Sequence, residues 1–328
     1  MKIRVPEYFV QFRCIADRCK DNCCIGWEID IDADARAKYE SLKEPIGAEI
    51  REKTSHGVFP LQKNGRCAFL DEGGLCRIIS LVGEGYLCDI CREHPRYYGV
   101  GGKGIEGGLG LSCEEAARII LSLDRLPKTV EIEREVPYYD EDGFATLGES
   151  FRERLTEGLF EFDIHTVIGK YIAYATIAED LAFDASTSGK DVKIPKQTYV
   201  PVKESELKDL LVNCFEIFSE CEALGEEWYD ALKKASSVKP TAVLMKEKAI
   251  RALLYYFTHR YVREGIEDMS LGKRVLFALG ASLVIAAISL VSDSDEKDIR
   301  AAVLFSKNIE YSTDNVDIFL DNIDFCNL

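Results

Sequence analysis

The spacing of apolar residues divides the chain into a first part of short elements and a second part of long helices. From about residue 149, apolar residues recur every three to four positions, which is typical of amphipathic helices. The polar stretch 184–203 interrupts this pattern with two prolines and predicts a linker or lid. The second part is therefore expected to be a helical bundle. Its predicted helices lie near 149–183, 204–236, 240–264, 271–292, 295–308 and 314–324.

The first part has no long periodic stretch, and its predicted elements are short. The chain is thus predicted to be mainly α, with a small cysteine-rich N-terminal region of short helices and a hairpin packed on a helical bundle. The expected boundaries are 1–125 for the cysteine-rich region, 126–148 for a linker with a possible strand, and 149–328 for the bundle. The predicted short elements are an amphipathic turn at 6–12, a strand at 27–32, a helix at 33–42 capped by Asp32 or Asp34, a hairpin at 65–78, a short helix carrying Cys88 and Cys91, a glycine-rich hairpin or loop at 97–112, and a helix capped by Ser112 and Glu115.

One predicted helix is apolar enough to be compared with a membrane span. Residues 275–291 form a stretch of 17 without a charged side chain, which is at the short limit for crossing a bilayer. Gly280, Ser282 and the neighbouring alanines would let other helices approach this segment closely. We therefore expect a buried core helix and no association with a membrane.

The charge of the chain bears on its partners. Its 41 Lys and Arg residues face 57 Asp and Glu residues, which gives a net charge of −16. Nucleic-acid binding normally requires a basic surface, so the charge argues against DNA or RNA as a partner. An acidic surface either attracts a basic, lysine-presenting protein or only keeps the protein soluble. The sequence leaves both explanations open.

Cysteine is concentrated in the first part of the chain. The N-terminal sequence MKIRVPEYFVQFRC has no continuous apolar core and no small-residue cleavage site, so we expect no secretory signal and a cytoplasmic protein. In a reducing compartment, clustered cysteines bind metal or perform chemistry more often than they form disulfides. Redox switching is the alternative. Nine of the twelve cysteines are the candidate metal ligands: Cys14, Cys19, Cys23, Cys24, Cys67, Cys76, Cys88, Cys91 and Cys113.

The spacing of these cysteines narrows the choice of metal group. Zinc takes four thiolate or imidazole ligands, and an iron–sulfur cluster takes four thiolates at more variable spacing. Nine cysteines suffice for two such sites. Haem attachment would require a histidine directly after Cys91, and the radical-enzyme pattern starting at Cys19 and Cys23 would require a cysteine at Gly26. Because both patterns are broken, the candidates are an iron–sulfur cluster and zinc.

Four motifs resemble one known family in their order along the chain. They are VPEYFVQFRC with the following CCIGW, then RCAFLDEGGLCRI, CREHPR and GLSCEEAARIIL, and they cover about residues 5–122. Here the sequence is similar to the flagellin lysine-N-methylase family and, in a smaller part, to cysteine-rich zinc- or iron-chelating domains. The resemblance implies methyl transfer to lysine side chains of flagellin, with S-adenosylmethionine as donor and a 4Fe–4S cluster in the protein. The residues of this chain for which the resemblance implies a functional role are the cysteines and the Pro95–Arg96 pair.

Few other residues indicate chemistry. Arg96, Tyr97 and Tyr98 are the candidate cofactor-binding residues, because they could bind a carboxylate and stack an adenine; a buried arginine bracing the cysteine loops is the alternative. His94 is either a metal ligand or a hydrogen-bonding residue at a helix end. No catalytic base is identifiable. The sequence favours a lysine methyltransferase, and the alternative is a non-catalytic iron–sulfur or zinc protein acting as a metal or redox sensor or as an interaction scaffold.

Overall fold

The computed structural model describes residues 1–101, 103–137, 145–188, 192–262 and 270–323. Within these ranges the chain is mainly helical, as the sequence predicts. Its helices are α1 (Ala33–Ser41), α2 (Ile46–Lys53), α3 (Arg77–Val82), α4 (Asp89–Glu93), α5 (Glu114–Leu121), α6 (Ala145–Thr156), α7 (Ile164–Ser188), α8 (Glu204–Glu220), α9 (Glu226–Ala235), α10 (Pro240–Leu244), α11 (Glu247–Tyr261), α12 (Leu271–Val291), α13 (Lys297–Phe305) and α14 (Thr313–Asn322). Its strands are β1 (Lys2–Pro6), β2 (Ile29–Asp30), β3 (Val58–Phe59), β4 (Arg96–Gly101), β5 (Gly104–Leu109) and β6 (Thr129–Glu133). A π-helical turn lies at Ser306–Glu310.

Three of the predicted long helices are each divided in two. The predicted helix 149–183 is α6 and α7, which are separated by a turn at Gly158 with a φ of 73°. In the same way, 204–236 is α8 and α9, and 240–264 is α10 and α11. Both helices of each pair bury residues in one core, so the apolar spacing continues across the breaks and does not reveal them.

A four-stranded sheet in the order β4–β5–β1–β6 packs on the same core as the bundle. Strand β1 pairs in parallel with β5, where Arg4 lies opposite Glu106, and antiparallel with β6. Strand β6 is the possible strand of the predicted linker. The strand β1 is not among the predicted elements, although Lys2–Val5 alternates polar and apolar residues.

The glycine-rich segment predicted as a hairpin or loop is a regular β4–β5 hairpin. Tyr97 lies opposite Gly108, and Tyr98 lies opposite Gly107. A Cβ atom at Gly108 would approach the Tyr97 hydroxyl oxygen to 2.3 Å. Glycine is therefore required because a tyrosine ring covers the facing strand, rather than because the segment must be flexible.

The prediction of a regular hairpin at 65–78 is wrong. Isolated bridges, such as the one between Leu70 and Cys76, replace paired strands there, and α3 begins directly after Cys76. The cause is a tight turn closed by Asp71, whose side chain accepts a hydrogen bond from the Leu75 backbone N–H at 2.8 Å.

The described residues form two separate hydrophobic cores. The main core contains β1, the β4–β5 hairpin, α5 and the bundle helices. A second, smaller core, here called the cysteine core, is built from residues 24–91. Buried residues thus group the chain differently from the predicted boundaries, because the first strand and α5 pack with the bundle. The cysteine core is an insertion between β1 and β4.

Helix α12 is the central helix of the main core. It is long and apolar enough to cross a membrane, but 83% of its most hydrophobic window is buried inside the protein. This burial agrees with the expected core helix and is consistent with a soluble protein. Gly280 lies where α12 meets α8 and α14, and a Cβ atom there would come within 2.6 Å of the Cys214 sulfur and 3.3 Å of Phe319.

We expect Gly280→Ala to lower the free energy of unfolding by about 1–3 kcal/mol, because the added methyl group overpacks this contact. Urea denaturation would measure the change. Adding Cys214→Ala should restore part of the loss by removing the sulfur that the methyl group meets. Equal losses in the single and double variants would contradict this explanation.

Candidate metal centre and adjoining cavity

Five of the nine candidate cysteines lie in the cysteine core. Cys67 and Cys88 are buried there, and Cys24, Cys76 and Cys91 pack against it. The backbone holds two of them together directly, since the Cys67 N–H donates to the Cys24 carbonyl at 2.8 Å. All eleven cysteines in the described ranges are free thiols.

Two pairs of thiols are in direct contact. The Cys24 thiol hydrogen-bonds to the Cys23 sulfur, which lowers the pKa of Cys23 and raises that of Cys24. Cys88 precedes α4 and Cys91 lies one turn further on, so their side chains face each other. The same kind of contact lowers the pKa of Cys88 and raises that of Cys91. Each pair therefore presents two adjacent sulfurs on which a metal ion could replace protons.

Cys67 and Cys76 are placed near these pairs by the 65–76 turn. Burial raises the pKa of both thiols, and nearby sulfurs of the other cysteines add to the effect. Nevertheless, no three His, Cys, Asp or Glu side chains in the described ranges are close enough together to hold one metal ion. The donor chemistry suits a soft metal, but the structure does not assemble a full ligand set. Metal binding stays a prediction.

Cys14, Cys19 and Cys113 lie outside the cysteine core, and Cys113 packs against the main core. Cys14 is exposed, and Cys113 precedes the first turn of α5. Burial, together with the nearby Glu114 carboxylate, raises the pKa of Cys19 to about 12. Burial also raises the pKa of Cys113 to about 11. The structure thus separates these three residues from the five in the cysteine core.

The loop of residues 14–24, here called the cysteine loop, is held by a buried carboxylate. Glu114 Oε2 accepts hydrogen bonds from the backbone N–H groups of Lys20 at 2.7 Å and Asp21 at 3.2 Å. The sequence predicts a capping box of Ser112 and Glu115 at this helix start. That prediction is wrong, because Cys113 takes the N-cap position without a side-chain bond and Glu114 turns toward the cysteine loop.

Asp21 fastens the same loop to the bundle. Its carboxylate accepts from Arg300 of α13 at 2.6 Å and also from Lys307 of the π-helical turn. No local pattern in the sequence marks this contact, because its partners are nearly 300 residues away along the chain.

The candidate cofactor-binding residues are engaged within the protein. The Arg96 guanidinium lies over the rings of Phe9 and Phe12, with centroid distances of 5.6 and 5.1 Å. The Tyr97 hydroxyl contacts His259 Nδ1 at 3.1 Å, and Tyr98 donates to Glu93 at 2.7 Å. Arg96 therefore packs on aromatic residues of the main core, and the alternative role of bracing the cysteine loops stays a prediction. Whether the three residues also bind a cofactor stays a prediction.

A cavity of about 350 Å³ separates the cysteine loop from the C-terminal helices. Its wall comes from residues 23–28, from His94 and Ser112, and from segments 222–224 and 307–312. A larger cavity of about 790 Å³ lies between Lys20, α9 and α13. Among the described residues of 97–110, none lines either cavity.

Three aromatic rings shape the smaller cavity. Trp27 stacks on Tyr311 with a centroid distance of 5.0 Å, and its indole N–H donates to the Cys23 carbonyl at 2.7 Å. The Tyr311 hydroxyl contacts both Ser112 Oγ at 2.7 Å and His94 Nδ1 at 3.2 Å. His94 Nε2 is inaccessible to solvent and has no hydrogen-bond partner among the described residues. Burial lowers the pKa of His94 to about 4, so the ring is neutral.

No family model matches the chain, and no solved structure matches it significantly. Lysine-N-methylases of Salmonella typhimurium and Salmonella choleraesuis are each 29% identical over 130 residues, or 36% of this chain. The flagellar biosynthetic protein FliU of Salmonella muenchen is 30% identical over 130 residues, which are 75% of its own length. This chain belongs to the flagellin lysine-N-methylase family.

Members of the flagellin lysine-N-methylase family differ in how much of their length this chain matches. The match covers 32% of each lysine-N-methylase, against 75% of FliU. The family resemblance predicted from the cysteine motifs is thus confirmed. Sequence reasoning missed Glu114, Asp21 and Tyr311, which lie outside those motifs or act through distant partners.

We expect Glu114→Ala to lower the free energy of unfolding by about 1–3 kcal/mol, because it leaves two partly buried backbone N–H groups of the cysteine loop without their acceptor. Hydrogen exchange at Lys20 and Asp21 should accelerate with it. Glu115→Ala is the matched control, since it removes only a partly exposed carboxylate 3.6 Å from Arg118. Similar exchange in both variants would show that Glu114 does not hold the loop.

Proposed function

We propose that this chain is an S-adenosylmethionine-dependent protein lysine N-methyltransferase, of the type that acts on flagellin, and that its cysteines bind an iron–sulfur cluster or zinc. The observation that carries the proposal is the match to proteins named lysine-N-methylase, together with the membership of their family. The match covers a third of the length of those proteins, so their activity is a proposal for this chain.

The metal centre is proposed from the chemistry of the thiols. Cys23 with Cys24 and Cys88 with Cys91 form two contacting pairs, and Cys67 and Cys76 lie in the cysteine core with Cys24, Cys88 and Cys91. A single zinc ion needs four sulfurs at about 2.3 Å, whereas the thiolates of an iron–sulfur cluster bind different iron atoms and tolerate wider separation. The variable spacing of these cysteines along the chain therefore favours the cluster. When bound, the metal group would cross-link segments that have little regular secondary structure.

In methyl transfer, the bonds that form and break belong to the donor and the lysine amine, so the protein performs little covalent chemistry itself. The lone pair of a neutral lysine amine forms a bond to the methyl carbon of the sulfonium while the carbon–sulfur bond breaks, which leaves a thioether. The methylated nitrogen then loses a proton to solvent. The protein must align donor and acceptor and exclude water from the reacting atoms. Two cavities beside the cysteine loop are the candidates for this role.

The proposal also implies a partner and a cellular location for the protein. Its partner would be a protein that presents exposed lysines, with flagellin as the candidate suggested by the names of the relatives. The net charge of −16 suits such a partner. A cytoplasmic location fits free thiols, since cysteines stay reduced there.

Anaerobically purified protein should contain iron with sulfide, or zinc, bound by at least four cysteines. Metal analysis and the visible absorption spectrum would identify the group. Cys67→Ser and Cys91→Ser should each lower the metal content and the thermal stability. Cys214→Ala is the control, because Cys214 is buried in the main core and should leave the metal content unchanged. A folded, metal-free protein with paired disulfides would instead support redox switching.

The metal-loaded protein should transfer the methyl group of S-adenosylmethionine to the ε-amino group of lysines in flagellin. Radiolabelled donor and peptide mass spectrometry would show the product, and S-adenosylhomocysteine should inhibit its formation. Calorimetry would report donor binding separately. A fully loaded protein that neither binds the donor nor transfers the methyl group would support the non-catalytic sensor or scaffold.

A further inference from the structure

We propose that the cavity of about 790 Å³ between the cysteine loop, α9 and α13 is the donor site, where the charged groups of S-adenosylmethionine face Asp230, Lys234 and Asp293. This inference rests on the proposed function and adds to it the location of the methyl donor. It places the donor away from the candidate residues 96–98, none of which lines this cavity.

The cavity has the size and the composition of a small-molecule site. Such sites commonly have volumes of about 300–1,000 Å³ and are mostly apolar, with a few polar groups that orient the ligand. Buried and half-buried aliphatic side chains of α12 and α13 form one side of this cavity, here called the floor: Ile288, Val291, Ile299, Val303 and Leu304. The faces of an adenine ring are flat and largely apolar, so the ring packs well on such a floor.

Several charged side chains of the wall are already paired with each other. Lys20 pairs with Glu296 at 3.0 Å. Arg300 pairs with Asp21 at 2.6 Å and with Glu227 at 2.7 Å. A ligand would have to break these pairs in order to use their charges. Their role is therefore to hold the cysteine loop, α9 and α13 around the cavity.

The three remaining charged groups of the wall complement the methyl donor. Asp230, Lys234 and Asp293 are exposed and, within the part of the chain that the structure describes, form no ion pair. S-adenosylmethionine carries two positive groups, the sulfonium and the α-ammonium, and one negative group, the carboxylate. Two carboxylates and one ammonium group on the protein therefore match the charges of the donor in number and in sign.

The end of α12 adds a negative potential beside the floor. The last carbonyl groups of a helix have no helical donor, and the helix dipole is negative there. Helix α12 ends at Val291, which lines the cavity together with Ser292, and the Ser292 N–H donates to only one of these carbonyls, that of Ser289. A sulfonium is a cation bonded to three carbons, so an apolar floor with a negative potential suits it.

Calorimetry with the anaerobically purified full chain and three ligands of different charge tests the assignment without turnover. S-adenosylhomocysteine lacks the positive charge on sulfur, and 5′-methylthioadenosine lacks the ammonium and the carboxylate as well. Lys234→Gln should weaken the binding of S-adenosylmethionine and S-adenosylhomocysteine at least threefold and leave that of 5′-methylthioadenosine unchanged. Lys233→Gln is the matched control, because Lys233 is also exposed on α9 but does not line the cavity.

The double variant Asp230→Asn and Asp293→Asn tests the negative side of the site. It should weaken S-adenosylmethionine at least fivefold and S-adenosylhomocysteine less, because the latter has one positive group fewer. Asp295→Asn, in the same loop as Asp293 but outside the cavity, should change neither affinity. Since all these side chains are exposed, the variants should fold like the wild type.

Donor binding that all these variants leave unchanged would overturn the assignment and leave the proposed methyltransferase activity standing. A protein that binds none of the three ligands, but binds a lysine-rich peptide through Asp230 and Asp293, would also overturn it, because the cavity would then be a docking surface for the substrate. Donor binding that depends on Asp230, Lys234 and Asp293 in a protein that transfers no methyl group would support this site and reject the proposed activity.

Discussion

The placement of the cysteine loop depends on one buried carboxylate. The cysteine loop has little regular secondary structure, so its backbone N–H groups need acceptors from elsewhere in the protein. Glu114 supplies them for Lys20 and Asp21 and is itself balanced by Arg118 at 3.0 Å. Glu114 lies on α5, which packs in the main core. Its hydrogen bonds therefore fix the position of the cysteine loop relative to the bundle.

The two hydrophobic cores meet through ion pairs and an aromatic stack. The cysteine core and the main core have separate sets of buried residues. Between them, Asp21 pairs with Arg300 and Lys307, and Trp27 stacks on Tyr311. A junction of this kind leaves cavities that a shared apolar core would fill. The candidate site lies at this junction.

Much of this architecture can be predicted from the sequence. The rest cannot, for physical reasons. Apolar spacing located the bundle and the burial of α12, because both follow from local periodicity. It missed β1, whose pairing with β5 joins residues 102 positions apart. The cysteine motifs identified the family, but Tyr311 and Lys307 reach the cavity only through tertiary packing. Such distant partners leave no local pattern.

The insertion of the cysteine core between two strands affects the rate at which the sheet folds. The chain leaves the sheet at the end of β1 and returns at the start of β4, on the same edge and two strand positions away, or about 10 Å. In an unfolded chain, bringing these strands together closes a flexible loop of roughly 90 residues, which costs entropy. A cysteine core that folds first replaces this loop with a compact spacer. The order in which the two cores form thus governs how quickly the parallel β1–β5 pairing is reached.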